Sequence, residues 1–589
     1  MPVEKSQQPK VKSQKFANQD DLQALRHSTA HLLAAAVLEL YPEVKPTIGP
    51  SIENGFYYDF DFGDIKISET DFKKIEQKMH QLVKSWEGFE KEEVSGAEAL
   101  ARVAGNEYKQ ELVAELIKAA EPISFYKSGE FIDLCRGGHV DEPKLKIQHF
   151  KLLSVAGAYW RGSENNSMLT RIYGTAFETK EELEAYLTQL AEAKKRDHRK
   201  LGQELDLFTF SDLVGAGLPL WTPKGTLLRN LLDDYVWKLR QAKGYQKVSI
   251  PHITKRALYE TSGHWAKYAD DLFHITTREG HEFAMKPMNC PHHTQIYAHL
   301  PRSYRDLPQR YSETTMVYRD EQSGEMHGLS RVRCITQDDA HVFCRESQLK
   351  DEFYAIWDII EEFYKKCGFP ELKVRLSLSD PEKQANYLGT REEWDKSEAQ
   401  LRAFIAERGA EYFSARGEAA FYGPKIDFMT RDSLGREWQV ATIQADRSMP
   451  KSFNLTCTNE DGEAEQVVMI HAAIMGSIER FLSILIEHTA GKFPLWLAPV
   501  QVIVLPIADR HHEYAREIVE ELKIKSIRVE LDDASESLNK KIRRAQKQQI
   551  PYMLIIGDEE VEAKKVAVRS RDEGDLGTKK LEEVIELIK

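Results

Sequence analysis

Apolar residues recur at helical spacing through LRHSTAHLLAAAVLEL (25–40), whereas GFYYDFDF (55–62) alternates aromatic with polar residues as a strand does. Segments of both kinds mix from about residue 21 to 178. TKEELEAYLTQLAEAKKRDHRKLGQEL (179–205) then predicts a charged linker helix with an exposed basic end. From about 206 to 497 apolar strands stand between helices. Within it, GLPLWTPKGTLLRNLLDDYVWKLRQAKGYQKVSIPHI (217–253) predicts a helix, a turn and a strand broken by Pro251. IHAAIMGSIERFLSILIEH (470–488) predicts a small-residue turn entering an apolar helix. From about 498 the order strand, helix, strand, helix and PYMLIIG (551–557) marks a small βαβ domain.

MVYRDEQSGEMHGLSRVRCITQDDAHVFC (316–344) predicts two antiparallel strands joined by a polar, Gly-containing loop. Arg319, Arg331 and Arg333 alternate along them, and alternation puts Arg319 and Glu321 on one face. Guanidinium forks match phosphate oxygens, and a nearby carboxylate accepts from an exocyclic amine. Taken alone, such a hairpin equally describes a salt-bridged surface.

The chain of 589 residues, 41% hydrophobic and 30% charged, is globular in composition and long enough for several domains. Its net charge of −13 leaves a nucleic-acid partner open, because a local basic surface decides binding. Six scattered cysteines and an N-terminus without a signal-like apolar run point to a reducing, cytoplasmic setting. No apolar run is long enough to span a membrane. Residues 1–20 are polar and Lys/Gln-rich, and we expect a flexible tail there.

Two pairs of potential ligands stand four residues apart: His27 with His31, and Cys135 with His139. On a helix that spacing aims His27 and His31 into one cleft. One Cys and three His describe a zinc site, and equally a set that handles water without a metal.

In order and spacing, the three central segments resemble the signature motifs of class II aminoacyl-tRNA synthetases. TSGHW, MKPMNCP, YRDEQSGEMHGLSRVR, TQDDAHVFC, FYGPKIDF and MGSIERF narrow the likeness to the threonyl-tRNA synthetase family, from residue 21 to 589. The resemblance implies a multidomain α+β and α/β chain. An α+β editing domain occupies 21–178, a linker helix 179–205, an antiparallel-sheet catalytic core 206–497 and an α/β anticodon-binding domain 498–589. It also implies a form lacking the family's small extreme N-terminal domain, and a homodimer built across the first motif.

The implied chemistry has two steps. Threonine and ATP give threonyl-adenylate, and the acyl group then passes to tRNA(Thr). By resemblance Arg319 holds the α-phosphate region, Glu321 reads the adenine amine, and Arg331 and Arg480 bind the triphosphate with Mg²⁺. Gln439 and Ser477 complete the ATP set. Cys290, His341 and His471 are implied as ligands of one Zn²⁺ that accepts the amino and hydroxyl groups of threonine and so rejects valine. Asp339 is placed to accept from the hydroxyl, with Gln337, Tyr422, Lys425 and Gln444 orienting the amino acid and His264 assisting the ribose hydroxyl.

Serine satisfies the same zinc and lacks only a methyl group, worth about 1–3 kcal/mol of discrimination. A second, hydrolytic sieve for seryl-tRNA(Thr) is therefore expected. His27, His31, Cys135 and His139, with Asp133 and Lys127, are its implied residues, acting without a metal. Glu560 and Arg569 are implied anticodon contacts. Two positions depart from the family: Ile335 replaces an aromatic ring expected against adenine, and Ser535 replaces an Asn. The competing expectations are a prolyl or seryl enzyme of the same class and a non-catalytic RNA-binding paralogue.

Overall fold

Residue 19 opens the first helix, Gln19–Leu40, so the expected tail gives way to helix just before residue 21. The computed structural model describes residues 19–163 and 165–588, and the rest of the tail lies outside them. The described chain forms two compact units that divide between Ala191 and Glu192.

In the first unit, Leu25, Leu32, Leu33 and Val37 of the Gln19–Leu40 helix pack on the aromatic face of the Gly55–Asp61 strand. The periodicity of both segments is thus realised. Its larger sheet runs Lys45–Pro46, Gly55–Asp61, Met168–Phe177, His149–Tyr159, all antiparallel, with Ser51–Ile52 beside Gly55–Asp61. The polar members of the Gly55–Asp61 strand are not all solvated. Asp59 is buried and forked by Arg171 at 2.7 and 2.8 Å. A second sheet orders Glu90–Val94, Ile123–Ser128 and Phe131–Leu134.

The expected linker helix is two helices, Lys180–Arg196 and His198–Glu204. Asp197 separates them because its carboxylate accepts from the Arg199 amide at 2.8 Å and caps the second. Residues from Glu192 onward belong to the second unit.

The second unit is built on an eight-stranded sheet. Its order is Gln246–Lys247, Gln309–Tyr318, Cys334–Cys344, Val468–Ser477, Glu437–Asp446, Lys425–Arg431, Lys373–Leu378, Tyr412–Arg416. The six inner strands pair antiparallel and the two edge pairs are parallel. Helices Pro223–Ala242, Leu349–Cys367 and Ile478–Thr489 bury one face of it. The strand Val468–Ser477 runs directly into the helix Ile478–Thr489, where a separate turn was expected. The C-terminal part is a five-stranded sheet, Val529–Leu531, Val502–Pro506, Tyr552–Ile556, Val566–Ser570, Gly574–Lys579, parallel in its first three strands. That confirms its βαβ pattern. Among the described residues no helix is long and apolar enough to cross a membrane.

Candidate functional site

Strand register sets four expected residues in one row. His341 pairs with His471, His471 with Gln444, and Gln444 with Lys425, across four adjacent strands. Directly opposed residues share a face, so this row lies on the side away from the buried helices. Alternation adds Asp339 and Gln337 to the face of His341, each step about 7 Å further along the strand. Gln337 is itself opposite Ser477. Asp338 points the other way, where Arg240 and the amides of Ile474 and Met475 hold it.

Cys290 opens the helix Cys290–Ala298, and its Sγ lies within 4.8 Å of one nitrogen each of His341 and His471. His341 Nδ1 lies 2.8 Å from His293 Nδ1, and His471 Nε2 lies 3.1 Å from Asp446 Oδ2. Each ligand candidate is thereby oriented and keeps its other nitrogen for an ion. Burial keeps His341 neutral, the ligating form, and pushes the Cys290 thiol up. A dication would supply the charge that a buried thiolate needs. One sulfur and two nitrogens with an open position fit zinc.

Around this trio, Asp339 accepts from Asn289 at 3.0 Å, and the Tyr422 ring stands 5.0 Å from that of His471. His264 is fully buried, 2.9 Å from Ser262 Oγ and 3.8 Å from Cys290 Sγ. Burial, then the neighbouring His471, lowers its pKa to about 4. Gln444 donates to the Gly423 carbonyl at 2.8 Å, and Lys425 lies 3.0 Å from buried Asp427. Gln439 donates to the same Asp427 at 2.9 Å and accepts from Arg375 at 2.6 Å.

At the far end of the face the strands stop at Tyr318 and resume at Cys334. Arg319, Glu321, Arg331 and Arg333 therefore belong to the connecting loop and not to the strands, so alternation does not place them. Contacts do. The Arg319 amide donates to the Arg333 carbonyl at 3.0 Å, and Arg331 Nε donates to Glu321 at 2.7 Å. Ser477 caps the helix that carries Arg480, accepting from the Arg480 amide at 3.2 Å. Arg480 Nε donates to the Ser330 carbonyl at 3.0 Å. Its guanidinium is drawn down by burial, then by Arg319 and Arg331, with Glu321 opposing. Arg319 Nε is buried and unpartnered. Three guanidiniums against one central carboxylate form a site for a polyanion. Ile335 sits opposite Val317, partly exposed.

The first unit holds a cavity of about 950 Å³ lined by His27, His31, Tyr58, Asp133 and Cys135. His27 Nε2 lies 3.1 Å from Cys135 Sγ, and Cys135 Sγ lies 3.3 Å from His139 Nε2. Ser28 Oγ meets His139 Nδ1 at 3.3 Å. His31 is buried with an unpartnered Nδ1. All four donor atoms lie within 4.8 Å of one another, so the geometry alone also admits a metal.

Lys127 is not in this cavity. It is exposed, and alternation turns it to the opposite face of its strand from Ser124 and Tyr126, which flank Asp133 and Cys135. Lys109, from the helix Glu107–Lys118, is the lysine that pairs with buried Asp133, whose other oxygen accepts from Tyr58 at 2.5 Å. Nothing in the sequence near Lys109 marks it; only the fold brings it to Asp133.

Burial lowers all three histidines, His139 to about 3. Below pH 6.5 the unfolded chain takes up protons that the folded cluster refuses, so acid destabilises this unit. We expect the heat-denaturation midpoint of its transition to fall steadily from pH 6.5 to pH 4, and less steeply in a His31→Phe, His139→Phe double variant.

In the C-terminal part Glu560 Oε2 accepts from the Gly557 amide at 2.9 Å at the start of the helix Asp558–Ala563. Arg569 lies on the strand Val566–Ser570 opposite Met553 and Asp575. Ser535 is exposed.

Three family profiles match the chain. The "tRNA synthetase class II core domain (G, H, P, S and T)" covers 273–489, the "Anticodon binding domain" 501–589, and the "Threonyl and Alanyl tRNA synthetase second additional domain" 123–173. The threonine–tRNA ligase of Porphyromonas gingivalis is 50% identical over 98% of this chain and 89% of its own length. That of Cytophaga hutchinsonii is 49% identical over 95% of this chain and 87% of its own. The RNA binding domain of threonyl-tRNA synthetase from Cryptosporidium parvum superposes with TM-score 0.63 at 38% identity, covering 67% of this chain and 97% of that one.

Proposed function

The chain belongs to the threonyl-tRNA synthetase family, class II enzymes that ligate threonine to tRNA, and on that premise we propose how its residues divide the work. The observation that carries this assignment is one face of the sheet, with Cys290, His341 and His471 gathered at one end, Arg331 and Arg480 at the other and Arg319 near both. The trio holds zinc, which when bound supplies Lewis-acid positions for the amino and hydroxyl groups of threonine. Asp339 accepts a hydrogen bond from that hydroxyl, and Tyr422 and Gln337 orient the amino acid. Gln444 and Lys425 support that floor. Valine leaves the hydroxyl position and Asp339 unsatisfied and is rejected.

The polyanion site takes ATP, brought in as its Mg²⁺ complex. Glu321 faces the adenine amine, and Arg319 sits between the two ends, where the threonine carboxylate meets the α-phosphate. Neutralising charge there and holding the reactants in line are the main catalytic contributions. Ser477 serves through the helix turn it caps, and Gln439 through its network on Asp427. His264, buried beside Cys290, is the residue that assists the ribose hydroxyl during acyl transfer.

Arg480→Ala should lower threonine-dependent pyrophosphate exchange by about 10²–10³-fold, with a raised KM for ATP. Deacylation of seryl-tRNA should remain unchanged. The whole assignment is tested by ATP–pyrophosphate exchange on zinc-loaded protein. Threonine should support it, valine should not, and serine should give a weaker signal. No exchange with threonine removes it.

The first unit is the editing module, and its cavity hydrolyses seryl-tRNA(Thr). His27, His31 and His139 order a water against the ester without a metal. Asp133 is fixed by Lys109 and Tyr58, and Lys109 takes the role expected of Lys127. Residues 21–178, 206–497 and 498–589 are the editing, catalytic and anticodon modules, the last reading bases with Glu560 and Arg569. We place the enzyme in the cytoplasm as a homodimer across the helix Pro223–Ala242, and light scattering that gives the mass of one chain would remove the dimer.

A further inference from the structure

We propose that His198 positions the ATP-binding loop, coupling it to the helix that carries Arg480. His198 follows Asp197, the break between the two linker helices, and is 1% exposed. Its Nε2 accepts from the Leu329 amide at 3.0 Å. An amide donates only, so Nε2 carries the lone pair and Nδ1 the hydrogen. Nδ1–H then donates to Glu487 Oε1 at 2.6 Å, and the His198 amide donates to the same oxygen at 3.1 Å. Arg436 holds the other Glu487 oxygen, which fixes the acceptor in place.

Leu329 is fully buried in the Glu321–Arg333 connection, next to Ser330, whose carbonyl accepts from Arg480. Glu487 and Arg480 stand on one helix, Ile478–Thr489, about two turns apart. The loop is thus tied to that helix twice, directly by Arg480 and through His198 by Glu487. Gly328 lets the imidazole approach: a Cβ there would sit 2.3 Å from His198 Nε2. Without His198 the Leu329 amide has no acceptor, and the loop must move to find one. That movement carries Glu321 and Arg331 with it, so the residue is a positioning residue for ATP and touches no substrate.

This inference rests on the loop being the ATP site, and two isosteric replacements test it. The amide of Asn overlays Nδ1, keeping the Glu487 bond and losing the acceptor for Leu329. The carbonyl of Gln reaches the Nε2 position and restores that acceptor. We expect His198→Asn to raise KM for ATP roughly tenfold in pyrophosphate exchange. KM for threonine, zinc content and seryl-tRNA deacylation should stay near native values. His198→Gln should return KM for ATP close to native.

Equal behaviour of Asn and Gln, a parallel rise in KM for threonine, or failure of both variants to fold would each overturn the proposal. Arg480→Ala serves as the reference. If it raises KM for ATP and His198→Asn does not, only this inference falls. If Arg480→Ala leaves KM for ATP unchanged, the ATP assignment itself falls.

Discussion

Replacing Cys290 with Ala should leave a folded protein that cannot activate threonine. Cys290 is 1% exposed and supplies the only sulfur among the three donors clustered on the sheet face. Two histidines alone hold zinc weakly, and a Lewis acid contributes several kcal/mol to charge stabilisation, so exchange should fall about 10³-fold or more. Metal analysis should show one zinc per chain in the parent protein and none in the variant. The same experiment bears on the first unit. Its four donor atoms also lie within 4.8 Å of one another, so a zinc retained by Cys290→Ala would overturn metal-free editing. Deacylation of seryl-tRNA should survive the substitution, because the editing cavity is built wholly from residues of the other unit.

The second large effect is the mirror image. A His27→Ala, His31→Ala double variant should threonylate tRNA at the native rate while seryl-tRNA accumulates. A positioned proton acceptor is worth roughly 10²–10⁴-fold, so deacylation should fall by about that factor. The geometry gives the two residues different parts. His31 is buried, lines the cavity and has an unpartnered Nδ1, whereas His27 Nε2 lies against Cys135. Single variants should therefore differ, with His31→Ala the more severe. Lys109→Met should reduce editing as well, while Lys127→Met should not. If Lys127→Met abolishes deacylation and Lys109→Met spares it, our placement of the lysine is wrong.

The contrast between those lysines shows where sequence reasoning stops. Lys127 lies close in sequence to Cys135 and His139, but the alternation of a strand turns it away from the cavity. Lys109 enters from a helix through tertiary packing, which leaves no mark at that distance along the chain. The arginine loop shows a milder form of the same problem. Dense charge and scattered β-formers read as continued strand, but the chain leaves the ladder at Tyr318 because the loop residues pair with one another.

Asp197 was hidden in the same way, since a capping aspartate within KKRDHRK looks like one more solvated charge. What was legible rests on strong local signals: the helix Gln19–Leu40, the βαβ order near the C-terminus, and the residues inside dense family motifs. Register then did what spacing could not, setting His341, His471, Gln444 and Lys425 side by side from four separate strands.

Asp338 and Asp339 are adjacent and identical, but they fail by different routes. Asp338 is wholly buried, holding Arg240 and two backbone amides together in the core. Asp339 instead lies 3.8 Å from His341, beside the Cys290, His341 and His471 cluster. A cell carrying a lesion at 338 would make a chain that its proteases remove, so the shortage would be one of enzyme molecules. A lesion at 339 would leave a normal number of molecules that choose the wrong amino acid. For one residue type at two consecutive positions, protein abundance would report the first defect and the fidelity of translation the second.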